Sequence, residues 1–211
     1  MFLQGSAESW HWSTDVEPGV NFCVWALQAD GLRVPPFDQH PEGDGSLRVV
    51  GLTPLTWRAW LAEVFNCRQQ ISDSPFPPPR ALVESIFAPA SLWRGDLAVG
   101  ARLADLWPGY AAQADAWKRH YALEADPTRL APTAHHRLWQ QLAPYRRQLP
   151  PLRFFLVEYP QVVLDVIPPE TALIGTGAGA LDPSSYTTAV LRTAELLAQA
   201  PLNPGDAPMA R

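Results

Sequence analysis

At 211 residues, 47% of them hydrophobic, the chain is long enough for one large domain or two small ones and for a substantial core. Only 18% of the residues are charged, and the net charge of −5 is carried without a long run of either sign, which disfavours nucleic acid and anionic membrane as partners. No apolar run approaches ~18 residues, and the start MFLQGSAESWHW has no basic segment followed by an apolar one; a cytoplasmic chain without membrane span or secretory signal is expected.

Two usages stand out. Of 16 basic residues only Lys118 is a lysine, and nine tryptophans are spread over the first two thirds. A coding bias toward GC-rich codons accounts for the arginine, alanine and proline content and points to a GC-rich bacterial source. Arginine and tryptophan are also the residues that dominate interface hot spots. Cys23 and Cys67 form no CxxC pair and no metal-ligand spacing, so both are expected as buried free thiols.

In chain order, the first fifty residues read as β structure. VNFCVWAL (20–27), GLRVPPF (31–37) and SLRVVGL (46–52) predict a hairpin or meander, with Asp44-Gly45 as a favoured turn pair and Pro35-Pro36 confining their strand to an edge. Thr53 followed by Pro54 then marks a helix start. Trp57, Trp60, Leu61, Val64 and Phe65 recur at helical spacing as its core stripe. PFPPPR (75–80), four prolines in six residues, closes a polyproline-like stretch from residue 72 and is the one candidate sub-boundary in an otherwise single domain, 1–200. It also matches the PxxPxR pattern of SH3 ligands, a short match for which a rigid spacer is the better account.

The middle of the chain, 81–148, is predicted helical but broken by proline. Leu103, Trp107, Tyr110, Ala114, Trp117 and Tyr121 form one apolar stripe, supported by an Asp115 to Arg119 spacing of one turn. Pro108-Gly109 predicts two helices or a kink within it. A further helix starts at Pro132 with His135, Leu138, Trp139 and Leu142 on one side. LRFFLVEY (152–159) and QVVLDVI (161–167) return to strands, and a helix from Pro183 to about Gln199 buries Tyr186, Val190, Thr193 and Leu197. Residues 201–211 read as a disordered tail. The fold class is α+β, one mixed sheet covered by helices.

The candidate sites are few. GTGAG (175–179) follows a strand and precedes a helix, which makes Gly175, Gly177 and Gly179 the only cofactor-binding candidates. The spacing is GxGxG rather than GxGxxG, and no lysine follows as in a P-loop. Asp182-Pro183 would cap the helix with a carboxylate where a phosphate would sit, so the stretch is read as a linker and no cofactor is expected. Asp165 interrupts an apolar strand. With Tyr159-Pro160 as a hairpin turn it would lie opposite Phe154, and either an edge position or an arginine such as Arg146 or Arg147 would accommodate its charge. DQHPEGDG (38–45) lacks the EF-hand pattern and reads as a solvated turn. His135 and His136 point ~100° apart on a helix and cannot chelate one ion, His135 being expected in the core and His136 in water. No metal site and no GxSxG elbow is present.

What remains is a chain without an adequate catalytic set and with Trp, Arg and Pro in excess. The expected function is a non-enzymatic protein-interaction module, an adaptor or accessory subunit of a larger assembly with another protein as partner; Trp10, Trp12, Trp93 and Arg94 are the contact candidates. The alternative is a small hydrolase or transferase at the ends of the C-terminal strands with Asp165, Glu170 and His135 as acid and base groups. A weaker third possibility is a nucleic-acid accessory factor that stacks Trp and Arg on bases.

Overall fold

A computed structural model describes residues 10–39, 52–72, 88–123, 130–177 and 181–199. Several expectations fall outside the described residues: the Asp44-Gly45 turn, the strand at 46–51, the proline run, Gly179, the tail, and the side chains of Asp115, Trp117 and Tyr121.

Within them the fold is α+β, with five helices and one mixed four-stranded sheet. Strand β1 (Trp12–Asp15) leads into helix α1 (Pro18–Ala29). Helix α2 (Pro54–Ser72), a 3-10 turn (Pro89–Leu92), helix α3 (Leu97–Leu123) and helix α4 (Pro132–Gln141) follow. Strands β2 (Leu152–Val157), β3 (Leu164–Ile167) and β4 (Thr171–Gly175) and helix α5 (Pro183–Gln199) complete it. The strand order is β1-β2-β4-β3, with β1, β2 and β4 parallel and β3 antiparallel to β4.

The N-terminal hairpin is not formed. β1 is a single strand whose partner is β2, some 140 residues on, and VNFCVWAL is helix rather than strand. The run is apolar on all sides because α1 is buried on all sides, against β2, α2, α3 and the 3-10 turn. Periodicity does not separate such a helix from a buried strand. The start signal was present: Glu17 accepts a hydrogen bond from the Gly19 amide (3.3 Å), and Pro18 stands at the first helical position. GLRVPPF is likewise a turn, closed by the Phe37 amide on the Val34 carbonyl (2.6 Å).

The sheet separates two cores. Over one face lie α1, α2 and α3, with Trp57, Trp60, Phe22, Leu103 and Tyr110 buried against Val157, Tyr159 and Leu173. Over the other lie α4 and α5, with Leu138, Leu142, Tyr186, Val190 and Leu197 against Leu152, Phe154, Leu156, Ala172 and Ile174. Alternate residues of β2 serve the two faces, as the pleat requires. Asn21 ties the first layer to the sheet. Its buried amide donates to the carbonyls of Leu156 (2.9 Å) and Glu17 (3.2 Å), and its oxygen accepts from the Glu158 amide (2.7 Å).

Two further expectations change. Of the two alternatives at Pro108-Gly109, two separate helices are not formed: Leu97–Leu123 is one continuous element with Pro108 inside it, and its buried residues Leu103, Tyr110 and Ala114 keep it seated on α1 where proline costs a hydrogen bond. The C-terminal hairpin joins β3 to β4, not β2 to β3: TALIG (171–175), not among the expected strands, is β4 and pairs between β2 and β3. Thr53 does open α2, its hydroxyl accepting from the Thr56 amide (3.2 Å), and α5 runs over the expected residues with the expected buried face.

Candidate functional site

The glycine stretch is structural where it is described. A Cβ on Gly175 would stand 2.7 Å from the Gln161 carbonyl oxygen and from a Val163 methyl, so this position admits only glycine while the 161–163 segment crosses it. Gly177 takes φ +79°, the left-handed conformation glycine adopts at no steric cost. Asp182 caps α5 as expected, accepting from the amides of Ser184 (2.9 Å) and Ser185 (3.0 Å) and from the Ser185 hydroxyl (2.6 Å). These hydrogen bonds hold its carboxyl below the ordinary range.

Asp165 lies on β3, the sheet's edge, opposite Leu173 rather than Phe154. Its partner is Arg58 of α2, not Arg146 or Arg147. Arg58 also donates to the Pro35 carbonyl (2.6 Å) and lies over the Trp57 ring, so it joins α2, the 34–37 turn and the sheet edge. Burial raises the Asp165 carboxyl above its ordinary value even though Arg58 opposes that shift. Glu170 is paired with Arg153 (3.3 Å), whose amide in turn donates to the Glu170 carbonyl (2.8 Å).

His135 is exposed, not in the core, and stacks on Trp12 with ring centroids 5.1 Å apart. It therefore sits beside β1, at the opposite edge of the sheet from Asp165, about 14 Å across three strand spacings. It is also on the opposite face: Trp12 turns toward α5, Asp165 toward α2. His135 is thus set apart from Asp165.

A different set does converge. Trp10, Trp12 and Trp139 pack at centroid distances of 5.9 to 6.3 Å, with His135 on the outer side of Trp12 and the Arg146 guanidinium 4.1 Å over the Trp139 ring. All three indoles are half-buried. The helix spacing of four places His135 and Trp139 on one side of α4, while Leu138 and Leu142 turn into the core. The patch is anchored from beneath. The Trp10 indole donates to the carbonyls of Leu149 (3.0 Å) and Pro150 (2.9 Å), and the Tyr186 hydroxyl accepts from the Trp12 indole (3.1 Å) and bonds the Thr14 hydroxyl (2.7 Å). Cation–π contact of this kind contributes about 0.5–2 kcal/mol.

Of the contact candidates, Trp10 and Trp12 belong to this patch, but Trp93 does not. Trp93 is a core residue, set edge-on against Trp60 with its indole donating to the Asp96 carbonyl (2.8 Å); Arg94 beside it is exposed and donates to the Ser91 carbonyl (3.0 Å). Trp139 and Arg146 were not named as contact candidates: Arg146 lies in the turn beyond the end of α4, and only the fold brings Trp139 beside Trp10 and Trp12. Among the described residues no group of three or more His, Cys, Asp or Glu could hold a metal ion, and no helix is long and apolar enough to cross a membrane. No protein-family model, no curated protein and no solved structure matches the chain.

Proposed function

We propose that the chain is a protein-interaction module, an adaptor or accessory subunit, that contacts its partner through the Trp10, Trp12, Trp139, His135 and Arg146 patch. The observation that carries this reading is the state of three large indoles. Trp10 and Trp12 are held in place by hydrogen bonds to Leu149, Pro150 and Tyr186, Trp139 packs against both, and all three keep part of their surface in water. Rigid, pre-positioned aromatic anchors with an adjacent arginine are what binding hot spots are made of, because little side-chain entropy remains to be lost on association.

The test is affinity purification from the native host with the wild-type chain and with a Trp10→Ala/Trp139→Ala variant of unchanged far-ultraviolet circular dichroism. Partners retained by the first and lost by the second support the proposal. An identical set of partners on both removes it.

A further inference from the structure

The patch borders a strand edge, and the two features together define what would fit there. The Leu152 amide donates to the His11 carbonyl (3.2 Å), so the backbone groups of residues 11, 13 and 15 point toward β2, and those of Trp12 and Thr14 point away from it. Among the described residues no strand lies beyond β1. Such an edge offers main-chain donors and acceptors to an added strand. On the face of α4 and α5, alternate side chains of that strand would meet the patch.

The charge of the patch selects those side chains. Residues 130–149, which supply His135, Trp139 and Arg146, contain three arginines, two histidines and no acidic residue, in a chain whose net charge is −5. The Nε–H of Arg146 is buried and meets no acceptor among the described residues. A ligand cannot reach an atom so enclosed, but Arg146 as a whole is part-exposed, and a carboxylate is the acceptor that best suits the rest of its guanidinium fork.

Resting on the interaction module proposed above, we infer that its occupant is an extended acidic segment of a partner protein, pairing with β1 and placing a carboxylate on Arg146 and apolar side chains on the indoles. Four fluorescein-labelled probes test this against the full chain by fluorescence polarisation: an eight-residue Glu-Thr-Val-Thr repeat, which puts Glu and Val on the same face of an extended strand, its counterpart with Lys for Glu, and two forms of the acidic peptide N-methylated at alternate residues, one for each edge of backbone donors. The acidic peptide is expected to bind at least about tenfold more tightly than the lysine peptide, with the preference falling as salt rises. N-methylation on the pairing edge is expected to abolish binding. Arg146→Gln, checked for an unchanged melting temperature, is expected to reduce the acidic preference to about threefold or less.

Equal binding of the two charges, indifference to N-methylation of either edge, or absence of binding by the acidic peptide overturns the inference. Those results leave the broader reading intact if captured partners still depend on Trp10 and Trp139. That reading fails separately, when capture does not depend on them.

Discussion

The two faces of the sheet use the same residue in opposite ways. On the side of α1, α2 and α3, Trp57 and Trp60 are fully enclosed, and their indoles donate to the carbonyls of Cys23 (2.8 Å) and Pro89 (2.6 Å). There the indole is a core filler whose one polar atom is matched inside. On the side of α4 and α5, Trp10, Trp12 and Trp139 are only partly buried and crowd one another beside a guanidinium. The difference lies in what stands above each ring. Helices cover the first set, and among the described residues no element covers the second, so the same composition yields a closed core on one side and a partly exposed aromatic cluster on the other.

Stability measurements sharpen this contrast. Trp57→Ala empties a closed site and is expected to cost about 3–5 kcal/mol, whereas Trp139→Ala removes a ring that is only partly buried and should cost about 1–2 kcal/mol, both read from chemical denaturation midpoints. Comparable losses would mean that the patch is core in all but exposure. Asn21→Ala leaves the Leu156 carbonyl and the Glu158 amide without their partner and is expected to cost about 2–4 kcal/mol, confined to the α1 face. Hydrogen exchange should then rise in α1 and spare α5.

On the other face, Tyr186→Phe deletes the hydroxyl shared by Trp12 and Thr14, for an expected loss of about 1 kcal/mol. Tryptophan emission should shift as the patch loosens. Emission unchanged from wild type would show that Tyr186 does not position the indoles.

The smallest effect concerns the sheet's far edge. Because burial raises the Asp165 carboxyl above its ordinary value of 3.8, its ionisation is harder in the folded chain than in the unfolded one. Its contribution is therefore fully present below that ordinary value and is lost as pH rises through the raised one. Melting temperatures of wild type minus Asp165→Asn should fall across that window. A rise would mean that the Arg58 ion pair outweighs the burial.

Much of the C-terminal half was legible in the sequence, because its signals are local. Asp182-Pro183 states where α5 begins, and the spacing of Tyr186, Val190, Thr193 and Leu197 states which side is buried. Thr53-Pro54 did the same for α2. Misreading was concentrated where burial erases alternation. VNFCVWAL is apolar throughout in either conformation, and TALIG is short enough to be absorbed into the glycine loop that follows it. The patch was half legible: Trp10 and Trp12 were named as contacts, Trp139 and Arg146 were not, since nothing local says that α4 lies beside β1.

By itself the sequence determined the α+β class, the caps of α2 and α5, the buried cysteines and the absence of a phosphate-loop pattern, since each depends on neighbours a few residues apart. Only the tertiary structure decided that β1 pairs with a strand 140 residues away, that Asp165 is answered by Arg58, and that three tryptophans meet at one sheet edge. Those outcomes rest on how helices and strands distant in sequence pack to bury apolar area, and that choice leaves no trace in local spacing.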